Sequence, residues 1–129
     1  MFLHDAIEDH MDLHNEVESY AGKPNGALKA EDVQKVDQCA LGKWLPDEGA
    51  AHQAHDEYSK LTDAHVAFHS VCADTLRHAD EGTLPKDALD AKGELTKSLV
   101  NLCAALSKLN VRIQVAQRAL EEKKEQSDG

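Results

Sequence analysis

Aromatic residues are scarce in this sequence, at 4% of the chain, with two Phe, two Tyr and one Trp. A core must then be built from Leu, Ala and Val, which favours helices over sheets. Positive charge is also short, because 14 Lys and Arg stand against 24 Asp and Glu, a formal net charge of −10 with His neutral. That sign argues against nucleic acid and anionic membrane as partners. Long apolar runs are missing too. No stretch approaches the ~20 apolar residues that span a bilayer. The amino terminus, MFLHDAIEDHMDLH, interrupts its apolar positions with Asp, Glu and His and so lacks the core of a secretory signal. A cytoplasmic location is expected. Cysteine is sparse and odd in number, at positions 39, 72 and 103, which suits reduced thiols or metal ligation better than a disulfide framework. The 129 residues give room for one compact domain and none for a catalytic output domain beside it.

Histidine, by contrast, is plentiful: eight in so short a chain direct attention to metal or proton chemistry. The periodicity predicts an all-α protein, an antiparallel bundle of the four-helix type. Leu3, Ile7, His10, His14, Val17 and Ala21 recur at steps of three and four and predict a first helix over 2–21. Gly22, Pro24 and Gly26 end it. One or two short helical turns are expected within 31–45, stopping at Pro46. A long stripe, Ala51, Ala54, Tyr58, Leu61, His65, Phe68, Cys72, Leu76 and Ala79, predicts a helix over 50–80, ended by Gly82. The last helix is expected to begin near Pro85 or Lys86 and to run to about residue 122, with a heptad seam of Leu95, Leu99, Leu102, Leu106, Leu109, Ile113, Ala116 and Leu120. Its overhang beyond the first helix suggests packing as a homodimer. Residues 1–122 are read as a single domain and 123–129 as a polar tail.

His65 and His69 stand four apart, so both imidazoles project from one helix face and can converge on a single ion. His65 is in register with Leu61 and Cys72, where an unpartnered polar ring would be costly. His10 holds a similar place on the first helix, and His14 rivals it one turn along; periodicity does not choose between them. In DQCALGKWL, Cys39 precedes Gly42 and the single Trp44, and Trp44 with Leu41 can anchor a short segment that points Cys39 inward. A thiolate with three neutral imidazoles makes a tetrahedral zinc set. Asp37 can bond a ligand His or cap a short helix. Cys72 and Cys103 read as core, His52 and His55 as solvated residues near a helix start, and His4 and His78 have no evident partner.

The series His10-Met-Asp-Leu13, Cys39-Ala-Leu41-Gly42-Lys-Trp44 and His65-Val-Ala-Phe-His69, in that order and at those separations, resembles the signature of the bacterial chemoreceptor zinc-binding domain. The likeness runs from about residue 6 to 79. It implies a helical bundle, often dimeric, with one zinc held by His10, Cys39, His65 and His69, and it prefers His10 to His14. Leu13 departs from the aromatic usual at that position, a change expected to alter packing rather than ligation. Such domains are commonly attached to a chemoreceptor signalling region or a diguanylate cyclase, so output here is expected to pass to a separate protein.

The function expected is that of a zinc-binding sensory or regulatory module, responding to zinc or, as the resemblance implies, to oxidants such as hypochlorous acid at the zinc-bound cysteine. Passive zinc buffering uses the same site. A hemerythrin-like di-iron oxygen carrier is suggested by His10, by His14 and Glu18 as His-x-x-x-Glu, and by the His65 and His69 pair. However, the last helix carries no His, and Cys39 would go unused. A zinc hydrolase needs an open coordination position and a general base. Four protein ligands leave no such position, and His-Val-Ala-Phe-His lacks the metalloprotease Glu. No enzymatic activity is expected.

Overall fold

The computed structural model describes residues 3–85 and 93–127, with the side chains of His4 and of 124–127 left aside. Among the described residues it is helical with no strand: α1 (Leu3–Gly22), α2 (Ala30–Val33), α3 (Ala40–Trp44), a 3₁₀ turn (Glu48–His52), α4 (Asp56–Glu81) and α5 (Glu94–Ser127). The three long helices pack on one another, and the short ones lie against them, α2 on α4 and α3 on α1.

The stripes expected from periodicity form the core. Leu3, Ala6, Val17 and Tyr20 of α1 are buried with Leu61, Phe68, Cys72 and Leu76 of α4 and Leu95, Leu102, Leu106 and Leu109 of α5. His10 meets His65 and His69, while one end of α1 brings the Tyr20 hydroxyl to donate to Asp80 at 2.7 Å. The pairing advances along both helices together, so α1 and α4 run parallel. The long connection over 23–55 makes this possible, since it returns the chain to the starting end of the bundle. By contrast, α5 is antiparallel to α4: Lys97 and Ser98 lie beside Ala67 and Val71, and Arg112 lies beside His55.

Gly82 ends α4 as expected. It takes φ 72°, its N–H bonds the Ala79 carbonyl at 3.2 Å, and Thr83 N–H bonds the His78 carbonyl at 2.8 Å. The start of α4 differs from the expected residue 50. Trp44 packs on Gly49, where a Cβ would stand 2.7 Å from the ring, and this contact keeps Glu48–His52 in a tight 3₁₀ turn. The α-helical path opens only after His55, whose backbone is extended. In the last helix, Gly93 is a bend and α5 starts at Glu94; the stretch 86–92, on which the expected start falls, lies outside the described residues. At its far end α5 continues to Ser127, because Lys, Glu and Gln are good helix formers. The seam of α5 is buried at Leu95, Leu102, Leu106 and Leu109, half-covered at Leu99, Ile113 and Ala116, and 67% exposed at Leu120.

Candidate metal centre

Three elements bring four donor atoms together. His10 on α1, Cys39 at the start of α3, and His65 and His69 on α4 place their ligand atoms all within 4.8 Å of one another. All three imidazoles are at most 3% exposed. Their rings stand nearly perpendicular, with His10 and His65 at 81°, His10 and His69 at 86°, and His65 and His69 at 89°. Three orthogonal rings splay their nitrogens around a common point rather than stacking.

The tautomers follow from backbone carbonyls. His10 Nδ1–H donates to Ala6 O at 2.6 Å, one turn back in α1, and His69 Nδ1–H donates to Val33 O of α2 at 2.8 Å. Both neutral rings therefore turn an unprotonated Nε2 inward, as metal-ligating histidines do when a second partner fixes the other nitrogen. These two Nε2 atoms face each other at 3.4 Å. Cys39 Sγ lies 3.2 Å from His65 Nε2 and 3.8 Å from Nε2 of both His10 and His69.

Zinc bonds imidazole nitrogen at ~2.0–2.1 Å and thiolate at ~2.3 Å, which at tetrahedral angles separates N from N by ~3.3 Å and S from N by ~3.6 Å. The three S–N separations bracket the second value and the His10–His69 separation lies close to the first, so the residues fit a single zinc ion. Converging lone pairs repel unless a positive charge lies among them. Electrostatics agrees with this need. Burial pushes His65 down to about 3, helped by its neighbours His69 and His10. Burial also lowers His10 and His69 against the pull of their carbonyl partners. All three imidazoles are thus kept neutral, the form that binds metal. Burial raises the Cys39 thiol, and the amides of Gly42 and Leu41 partly offset it. A divalent cation reverses the balance for sulfur and holds it as thiolate.

The loop that carries Cys39 explains its motif. Cys39 is the N-cap of α3, and its Sγ accepts from Gly42 N–H at 3.4 Å. Gly42 passes so close to the preceding strand of loop that a Cβ there would overlap the Val36 carbonyl, so only glycine fits. Leu41 and Leu45 are buried, and the Tyr58 hydroxyl donates to Leu45 O at 2.6 Å, fastening α3 to α4. Trp44 is half-buried and packs on Gly49 and His52.

The other candidates lie elsewhere. His14 faces α5, with its Nε2 3.3 Å from Thr96 Oγ1 and 3.8 Å from Glu18 Oε2. No carboxylate belongs to the four-residue group, so the described residues give no di-iron arrangement. Cys72 is fully buried with its thiol pushed up to about 12, and Cys103 is half-buried with its thiol raised by burial. Asp37 is exposed and takes neither expected role, since Cys39 itself caps α3 and carbonyls hold His10 and His69. His52 and His55 stack on each other at 6.5 Å, and the His78 ring sits against Thr83. The sequence reading missed the two carbonyls, Ala6 and Val33; of these, only Val33 left a trace, as an apolar residue in a charged stretch.

Comparison with known families gives a match to the chemoreceptor zinc-binding domain over residues 10–76, a span that holds all four donors. No curated protein and no solved structure matches the chain. The matched span covers more than half of the 129 residues, and the chain belongs to the chemoreceptor zinc-binding domain family.

Proposed function

We propose that this protein is a cytoplasmic zinc-binding sensory module without enzymatic activity, in which His10, Cys39, His65 and His69 hold one zinc ion. The observation that carries the reading is the convergence of three neutral imidazole nitrogens and one sulfur from three separate elements. When bound, zinc supplies positive charge that keeps Cys39 a thiolate and ties α3 to α1 and α4. Four protein donors leave no position for substrate, which favours sensing over hydrolysis.

Two inputs act on the same residue. Removal of zinc leaves α3 held by the burial of Leu41 and Leu45, the packing of Trp44 on Gly49 and His52, and the Tyr58 bond. Oxidation of Cys39 by hypochlorous acid converts thiolate to sulfenic acid with release of chloride, and the product is a poor ligand. Either event frees a short segment whose own helix is too brief to persist without packing. Output then passes to a separate protein. Hydrogen exchange over 36–45, measured with zinc, after chelation and after one equivalent of hypochlorous acid, tests this reading. Faster exchange in both treated samples is expected, confined to that segment and its contacts. Identical exchange in all three states would remove the sensory role and leave zinc storage.

A further inference from the structure

Apart from its core seam, α5 carries a second apolar stripe. Val100, Val111 and Val115 are 58%, 58% and 52% exposed. At 3.6 residues per turn they project on the side of α5 opposite Leu102, Leu106 and Leu109. The charge on this stretch is also opposite to that of the protein. Between Glu94 and Glu121 there is no Asp or Glu, while Lys97, Lys108, Arg112 and Arg118 all fall on the half of the helix that bears the valines. The opposite flank, Ser107, Asn110 and Gln114, is uncharged. A chain of net charge −10 thus presents one helix face that is apolar and basic.

The face leads into a groove of about 450 Å³ between α5 and the first turns of α4, lined by Glu57, Lys60, Lys108, Val111, Arg112 and Val115 among others. Its three cations outnumber its one carboxylate. Arg112 Nε donates to His55 Nδ1 at 3.3 Å, which holds one guanidinium at the rim.

We infer that this groove and valine stripe dock an amphipathic helix of a partner protein, with apolar residues against Val111 and Val115 and acidic residues against Lys60, Lys108 and Arg112. Complementary charge selects this occupant. A second copy of the chain is disfavoured here, because a two-fold contact sets a patch against itself and would oppose the four basic residues of one copy to the same four of the other. An anionic bilayer is disfavoured by the net charge of the rest of the molecule. The inference deepens the sensory reading by giving its separate partner a chemistry.

The test uses the full chain and a fluorescein-labelled three-heptad helical peptide with Leu on its seam and Glu at the flanks, beside an otherwise identical peptide with Lys at the flanks. Fluorescence anisotropy should show micromolar binding of the Glu peptide, weakened roughly tenfold as salt is raised into the range where exposed charges are screened, and no binding of the Lys peptide. The double variant Val111→Glu with Val115→Glu, both exposed positions, should keep its helical circular dichroism and lose the binding. Four results overturn the inference: no binding of the Glu peptide, equal binding of the two peptides, binding to phosphatidylglycerol vesicles in place of the peptide, or a sedimenting dimer that the double variant splits. Repeating the titration after chelation separates the two readings: binding unaffected by zinc upholds the docking face and counts against zinc-controlled output.

Discussion

His10 and His14 stand one turn apart on the buried side of α1 and serve different neighbours, His10 turning toward α4 and His14 toward Thr96 of α5. A helix wedged between two others buries more than one face, so membership of the stripe alone does not say which neighbour a residue meets. Replacing His10 by Ala is expected to weaken zinc binding by at least about 100-fold, beyond what loss of a supporting bond costs. His14→Ala should keep one zinc per chain and cost ~1 kcal/mol in stability, the worth of its bond to Thr96. Competition with a chromophoric chelator measures the zinc affinity of both variants and urea unfolding the stability of His14→Ala, and equal losses of affinity would contradict the assignment. The spacing of His65 and His69 gave their shared face, since a separation of four fixes it, but not a metal role, which rested on the buried register of His65 and on the family likeness. Cys39 was legible from its motif, whereas choosing His10 needed the family likeness. The carbonyls of Ala6 and Val33 were not legible, because every residue carries one and only the folded path decides which is aimed at an imidazole.

Among the elements, α3 depends most on a single residue. It has five residues, too few to hold a helix unaided, and its place is set by the passage of Gly42 against Val36 and Asp37. Gly42→Ala must push that crossing apart, at a cost of ~1–3 kcal/mol, and it displaces Cys39 three residues before it. The expected outcome is a lower unfolding temperature for the zinc form and weaker zinc retention, followed by thermal unfolding with and without chelator. An unchanged melting curve in zinc would show that the crossing is loose. The ends of α1 and α4 were predictable because Gly22, Pro24 and Gly82 are local signals. The start of α4 was not. The stripe through Ala51 and Ala54 continues the helical period, but the contact of Trp44 with Gly49 is tertiary and overrides it.

Across the whole molecule, the parallel course of α1 and α4 puts His10 level with His65 and His69, and the long connection between those helices delivers Cys39 to the same level. The expected antiparallel course holds for α4 and α5, but heptad patterns do not fix the direction of each helix, and the parallel sense of α1 and α4 emerged only from the fold. Burying three imidazoles ties stability to pH. His65 is held down to about 3, against 6.5 for the unshifted group, and His10 and His69 move the same way. The unfolded chain therefore binds more protons than the folded one as pH falls below 6.5, and stability drops progressively toward 3. At the alkaline side the raised thiols of Cys39 and Cys72 act in the opposite sense, so stability is present below the unshifted value of 9.0 and declines above it. Urea titration of zinc-free protein should give its highest midpoint between these limits. A midpoint that stays flat from pH 7 to pH 5 would contradict the neutral, buried state of the three rings.

The central claim is the identity of the donor set, and X-ray absorption at the zinc edge of protein purified without added metal tests it most directly. The account predicts one zinc per chain with three imidazole nitrogens at ~2.0–2.1 Å and one sulfur at ~2.3 Å, the sulfur signal vanishing in Cys39→Ser. Protein free of zinc, a shell of carboxylate oxygens, or a sulfur signal that survives Cys39→Ser would contradict it.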